Sequence, residues 1–173
     1  MNRKGFTLIE LLAVIVVLGL VVLISVPIIS DAYTKSKIKS EEVFVDRLTQ
    51  AIDSYVKLNS DTISFSCKSD SCKGTKTERI LDKEETYDIT YQKGTITIQK
   101  IIDDGILTQK DFVNAGNKDA TCNTDAEVEV YKDSDFVYCY KMKKDNLNCF
   151  TEAYKDKIGD YAIDTCVWKE SQG

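Results

Sequence analysis

Two sets of side chains in this 173-residue sequence have the types and spacing to do chemistry. The first is one acid, Glu10, the only charged residue in the run from Phe6 to Ile29 (FTLIELLAVIVVLGLVVLISVPII). An ionised side chain at the centre of a bilayer costs about 2.5–3.5 kcal/mol on insertion scales, so an acid kept there needs a partner or a task. No basic side chain lies between Phe6 and Tyr33. The nearest cation the chain can generate is an α-amine, with a pKa of about 7.7–8.0, exposed by cleavage after Gly5. The alternatives for Glu10 are pairing with its own chain's amine one turn away, or protonation in the membrane.

The second set is six cysteines, Cys67, Cys72, Cys122, Cys139, Cys149 and Cys166. An even number confined to one part of a small domain favours disulfides in an exported, oxidising compartment. Six cysteines allow 15 pairings. Cys67 and Cys72 are close enough to bridge a tight loop. If Tyr131 faces Phe136 across a hairpin, Cys139 lies opposite Val128, a register that suits Cys122–Cys149 with Cys139–Cys166. The rival set is Cys122–Cys139 with Cys149–Cys166, and the sequence leaves both open. A zinc site at Cys67 and Cys72 is the competing chemistry, but without histidine it needs two further thiolates. The acid pairs Asp133 with Asp135 and Asp103 with Asp104 lack a full calcium ligand set, so turns and caps are expected there.

The rest of the composition narrows the function classes. With no histidine, the commonest general base near neutral pH and the commonest zinc ligand are missing. Nothing resembles a phosphate loop, a dinucleotide fingerprint or a nucleophile with its base. The expectation is a non-enzyme with no catalytic residue, metal or cofactor. A formal charge of −5 gives no general attraction for nucleic acid or an anionic membrane. A local basic patch is compatible with that balance, and nucleic acid as a partner is left open.

The elements that must position these groups follow from periodicity. Phe6 to Ile29 is slightly longer than the roughly 20 residues needed to cross a bilayer as a helix. A cleaved secretory signal would have a shorter apolar region ending at a small-residue site, so this helix is expected to be retained. Arg3 and Lys4 precede it while Lys35, Lys37 and Lys39 follow it, and the positive-inside count alone does not orient it. The cysteines favour the C-terminal part being outside. From Asp31 to about Asn59 the pattern stays helical but turns amphipathic, with Phe44, Leu48, Ala51, Ile52, Tyr55 and Leu58 on one stripe that should pack on a sheet.

Beyond Asn59, strands are predicted around Ile63 and Phe65, Tyr87 to Tyr91, Thr95 to Ile98, Val128 to Tyr131, Phe136 to Met142, and Tyr161 to Trp168. Lys132 to Asp135 reads as a hairpin loop, Lys68 to Lys76 as an exposed loop, and Ile98 to Ile102 before Gly105 as a short helix with a glycine stop. Tyr138 and Tyr140 are expected to pack within a strand rather than form a binding ladder. The architecture expected is α+β: a long N-terminal membrane-spanning helix, the spine, packed on a small antiparallel β-sheet head. Its parts are a leader at 1–5, a transmembrane helix at 6–29, its amphipathic continuation at 30–59 and an exported head at 60–173.

The segment Arg3-Lys4-Gly5-Phe6-Thr7-Leu8-Ile9-Glu10-Leu11-Leu12 resembles the N-terminal signal of type IV prepilins and type II secretion pseudopilins. That signal is a basic leader ending in glycine, then phenylalanine, with glutamate five positions after the glycine. The resemblance implies cleavage between Gly5 and Phe6 by a membrane prepilin peptidase and methylation of the new Phe6 amine. It also implies use of Glu10 to neutralise a neighbouring subunit's N-terminus during assembly. Gly19 and Pro27 match positions where such helices carry breakers, and proline chemistry alone implies a bend near Pro27. The implied partners are further copies of the chain, the prepilin peptidase, a membrane assembly platform and bilayer lipid before assembly. The implied location is the cytoplasmic membrane, single-pass with the head outside, and then an extracellular pilus or pseudopilus. Two alternatives stand beside a pilus subunit: a pseudopilin of a type II secretion or competence DNA-uptake system, and a monomeric membrane-anchored binding protein.

Overall fold

The computed structural model describes residues 7–67, 72–80 and 83–170. One helix, α1 (Leu8–Asn59), opens the chain, and the residues group into two compact units that meet at Lys37/Ile38. In the first unit, α1 exposes its apolar side chains on all sides. A helix apolar all round has no face to give to a water-solvated core, so its composition suits lipid or other helices.

In the second unit the same helix is amphipathic. Phe44, Val45, Leu48, Ile52, Tyr55 and Val56 are buried at three- and four-residue spacing. Each large side chain removed from water contributes about 1.5–3 kcal/mol before entropy is counted. Leu58, expected on this stripe, is instead 75% exposed. Val45 and Val56, one position round from Phe44 and Tyr55, are buried, so the contact stripe has turned away from Leu58 in the last helical turn.

Strands β1 (Lys73–Ile80), β2 (Lys83–Thr97), β3 (Glu127–Asp133), β4 (Tyr138–Lys143), β5 (Tyr161–Asp164) and β6 (Trp168–Glu170) form one antiparallel sheet in the order β5-β4-β3-β2-β1-β6. Between them lie the short helices α2 (Ile98–Asp103), α3 (Lys144–Leu147) and α4 (Glu152–Lys155). One sheet face supplies Ile96, Val128, Val130, Tyr140, Met142 and Ile163 to the core that holds α1. Loop side chains close the same core, with Phe44 meeting Phe112 at 5.9 Å and Phe150 at 6.3 Å between ring centroids. A long helix on a small antiparallel sheet is the α+β, pilin-like arrangement expected.

The sheet cannot be flat. Its two edge strands, β5 and β6, are consecutive in sequence and separated by only Thr165, Cys166 and Val167. Four residue steps reach about 14 Å at most, whereas the edges of a flat six-stranded sheet lie about 24 Å apart. The sheet therefore curls away from α1, and its second face encloses a smaller core of Cys72, Ile89, Tyr91, Tyr131, Cys139 and Trp168. Trp168 stacks on Tyr91 at 4.4 Å and meets Tyr131 edge-on at 5.2 Å. The Lys141 ammonium lies 5.4 Å from both the Tyr131 and Trp168 rings, a favourable place for a cation beside aromatic faces.

Several expectations are corrected here. Tyr131 pairs with Cys139, not Phe136, so the hairpin register is three residues from the one assumed. The turn runs through residues 134–137, later than Lys132 to Asp135, and Phe136 sits in it with φ 62°. Tyr87 to Tyr91 and Thr95 to Thr97 are one strand, β2, and Ile98 begins α2. Ile63 and Phe65 form no strand, only a single bridge between Ser66 and Lys93. Residues 73–76 of the expected Lys68 to Lys76 loop open β1, while residues 68–71 lie outside the described residues. Tyr161 to Trp168 splits into β5 and the start of β6. The glycine stop holds: Gly105 takes φ 75°, and its N–H donates to Ile102 O at 2.9 Å.

Gly94 shows how closely the bridge region packs. A Cβ there would stand 2.8 Å from Ile63 Cγ2 and 3.2 Å from Phe65 Cδ1. Gly94→Ala is therefore expected to destabilise the head by about 1–3 kcal/mol. The loss should be visible as a lower midpoint in chemical denaturation, and an unshifted midpoint would show that Ile63 and Phe65 yield freely.

Candidate functional site

The site begins where α1 begins. Thr7 caps the helix: its backbone N–H and its hydroxyl both donate to Glu10 Oε2 at 2.8 Å, while Glu10 N–H donates to Thr7 Oγ1 at 3.3 Å. This is the reciprocal arrangement of a capping box, in which a Thr and a Glu three residues on satisfy each other's backbone donors. Thr7-Leu8-Ile9-Glu10 carries that signature in the sequence, and the sequence reading missed it. Oε1 of Glu10 makes no hydrogen bond to any described residue, so one carboxylate oxygen remains open to an outside donor.

Behind Glu10 the helix is built for an apolar surrounding. Its most apolar stretch has a mean hydropathy of 3.2, and the side chains from Leu11 to Leu23 are exposed throughout. The helical backbone satisfies its own polar groups, the condition for crossing hydrocarbon. Ser25 returns its hydroxyl to Val21 O at 2.8 Å and Thr34 to Ser30 O at 3.1 Å, so neither hydroxyl needs water. The helix continues across both Gly19 and Pro27, and a Cβ at Gly19 would touch nothing within 4 Å. Gly5 and Phe6 lie outside the described residues.

Residues 1–26 match the family model described as the prokaryotic N-terminal methylation motif. The N-terminus is a type IV pilin or pseudopilin signal. The methylation motif ends within the apolar helix and leaves the head uncovered. No curated protein and no solved structure matches the chain at a significant level.

The remaining candidate residues are all in the head, within the second unit. The structure joins Cys67 to Cys72, Cys122 to Cys149 and Cys139 to Cys166. Cys139 stands opposite Tyr131 rather than Val128, and Cys166 reaches it from the connector that closes the curled sheet. That connector is also tied to β4 by Thr165 N–H on Tyr140 O at 3.0 Å. Asp133 Oδ1 accepts from the N–H groups of Asp135 and Val137 at 2.9 and 2.8 Å, and Asp103 accepts from Gln99 at 2.8 Å, so these acids shape a turn and a helix. Tyr140, within its strand, donates to Asp53 of α1 at 2.9 Å. Burial and then that carboxylate push its phenol pKa well above the usual range.

A residue missed by the sequence reading pins α1 to the loops. Glu41 is fully buried. Its Oε1 accepts from Thr151 N–H at 2.7 Å and Asn114 Nδ2 at 3.1 Å, and its Oε2 from the Thr151 hydroxyl at 2.6 Å. Asn114, also fully buried, donates to Cys149 O at 2.8 Å, which links the network to the Cys122–Cys149 bond. The available signal was position: Glu41 precedes Phe44 and Val45 by three and four residues, on the stripe that faces the core. Next to it, half-buried Glu42 is held below the usual carboxylate range by Lys157 and then Lys39.

Proposed function

We propose that this chain is a structural subunit of a type IV pilus-like filament, processed between Gly5 and Phe6 by a prepilin peptidase, methylated at Phe6 and polymerised through its N-terminal helix. The observation that carries this reading is the methylation motif over residues 1–26 joined to a helix whose only intramembrane acid, Glu10, keeps one oxygen unshared among the described residues. Before assembly the helix anchors the subunit in the cytoplasmic membrane with the head outside. In the filament, Glu10 Oε1 accepts from the Phe6 amine of a neighbouring copy. An assembly platform in the membrane delivers each subunit. The three disulfides suit a head that folds in an oxidising compartment, each contributing about 2–4 kcal/mol.

Processing is tested by the intact mass of membrane-extracted protein. The expected species begins at Phe6 and carries one added methyl group. A product retaining Met1 to Gly5, in cells that make a prepilin peptidase, would remove cleavage from this account and favour a monomeric anchored protein.

A further inference from the structure

Just beyond the apolar stretch, α1 carries an aromatic residue and lysines that the filament reading does not use. Tyr33 is exposed, Lys35 is exposed, and Lys37 is half-buried with its ammonium 4.8 Å from the Tyr33 ring centroid. Lys39 follows but is bonded to Glu42 at 3.2 Å. The one acid between Ile29 and Lys39 is Asp31.

Side chains on a helix lean toward its N-terminus. Lysines placed one to two turns above a membrane-spanning segment therefore reach back toward the surface the helix has just left. The Lys37 ammonium over Tyr33, four residues earlier, shows that direction. If Leu8 to Ile29 fills the hydrocarbon, at 1.5 Å per residue Tyr33 stands about 6 Å and Lys35 about 9 Å above it, within or at the edge of the headgroup layer. Tyrosine is at home there, with its ring among the upper chains and its hydroxyl in the headgroups. Lys35 and Lys37 are about 200° apart round the helix, so their ammonium groups flank it rather than form a one-sided protein interface.

We propose that Tyr33, Lys35 and Lys37 form a collar that binds anionic phospholipid headgroups in the leaflet on the head's side of the membrane. The inference rests on the membrane-spanning placement of α1 proposed above. Each lysine near an anionic surface favours it by roughly fivefold, and the gain falls as salt screens it. The collar marks how far the helix stands out of the bilayer and opposes its withdrawal into a filament most strongly where anionic lipid is abundant.

The test uses the full chain, purified in detergent micelles with equal amounts of phosphatidylglycerol and phosphatidylcholine, with retained lipid read by native mass spectrometry. Phosphatidylglycerol is expected to be retained over phosphatidylcholine by about tenfold, from two lysines at roughly fivefold each less competition by Asp31. The double variant Lys35→Gln/Lys37→Gln should bring the ratio near one. Lys110→Gln/Lys118→Gln, which removes the same charge from exposed positions on the head, should leave it unchanged. Equal retention of the two lipids by the parent, or a preference surviving in the Lys35/Lys37 variant, would overturn the collar. Alkaline carbonate extraction of cell membranes separates the two failures. A chain released by carbonate sinks the membrane-spanning reading itself, whereas a chain retained there without lipid preference sinks only the collar.

Discussion

Glu10→Gln is expected to leave export, head folding and membrane insertion intact while lowering incorporation into filaments by roughly a hundredfold or more. The size follows from leaving a buried charge without its partner, which costs about 3–5 kcal/mol, where each 1.4 kcal/mol is tenfold in an equilibrium. Packing one apolar helix beside another gains little from the hydrophobic effect, because lipid is already apolar. Register must therefore come from shape and from polar pairing, and Glu10 is the one charged side chain in the apolar run. The capping box makes the substitution informative. Glutamine serves at that position of a capping box as glutamate does, so Glu10→Gln keeps the bonds to Thr7 and removes only the charge. Glu10→Val removes both and should insert at least as well. The measurement is the ratio of sheared polymer to membrane-held monomer at matched expression. If Glu10→Gln assembles normally and Glu10→Val does not, the cap alone is at work; normal ratios in both variants refute the assembly role.

The largest effect on the head itself is expected from Glu41→Ala. Truncation leaves the Thr151 N–H and hydroxyl without their acceptor and opens a cavity beside the fully buried Asn114. The expected loss is about 3–5 kcal/mol, in the range for breaking a buried polar network with an ionic member. For a chain of this size that lowers the melting temperature by roughly 10 °C or more. Glu41→Gln retains an acceptor oxygen for Thr151 N–H and Asn114, and should cost only about 1 kcal/mol. The single tryptophan, Trp168, sits in the second core and reports head unfolding by fluorescence of the full chain in detergent. A Glu41→Ala protein melting with the parent would show that the network does not hold α1 to the loops. Equal damage from Gln and Ala would place the contribution in the charge rather than the hydrogen bonds.

Glu10 and Glu41 divide what was legible from what was not. Glu10 stood out because its surroundings are local: every residue in the two turns that follow it, Leu11 to Leu18, is apolar, so an acid there is conspicuous without any fold. Its cap was equally local and readable, since a Thr and a Glu three residues apart at a helix start need no tertiary contact. Glu41 looked like one charged residue among many on a polar stretch. Its place on the core-facing stripe was a local hint, but the partners that make its burial tolerable, Asn114 and Thr151, are 73 and 110 positions away, and no short-range pattern reports them.

The same division runs through the sheet. Alternation made parts of β2 and β3, most of β4 and all of β5 visible, because a half-buried strand has period two whatever it pairs with. β1, Lys-Gly-Thr-Lys-Thr-Glu-Arg-Ile, carries almost no apolar signal and is a strand because β2 runs beside it and β6 covers its other edge. The hairpin register was set by where the turn places its residues, and a three-residue difference there moved the partner of Cys139 from Val128 to Tyr131.

By itself the sequence determined the membrane-crossing helix, its lone acid, the methylation motif and the oxidising chemistry implied by six cysteines, all of which depend on residues close together in the chain. Only the tertiary structure decided which cysteines meet, that the edge strands close the sheet onto a second aromatic core, and that Glu41 is buried. Apart from the Cys67–Cys72 bridge, which spans five residues, those outcomes rest on contacts between segments tens of residues apart, fixed by the packing of whole faces rather than by any stretch of sequence.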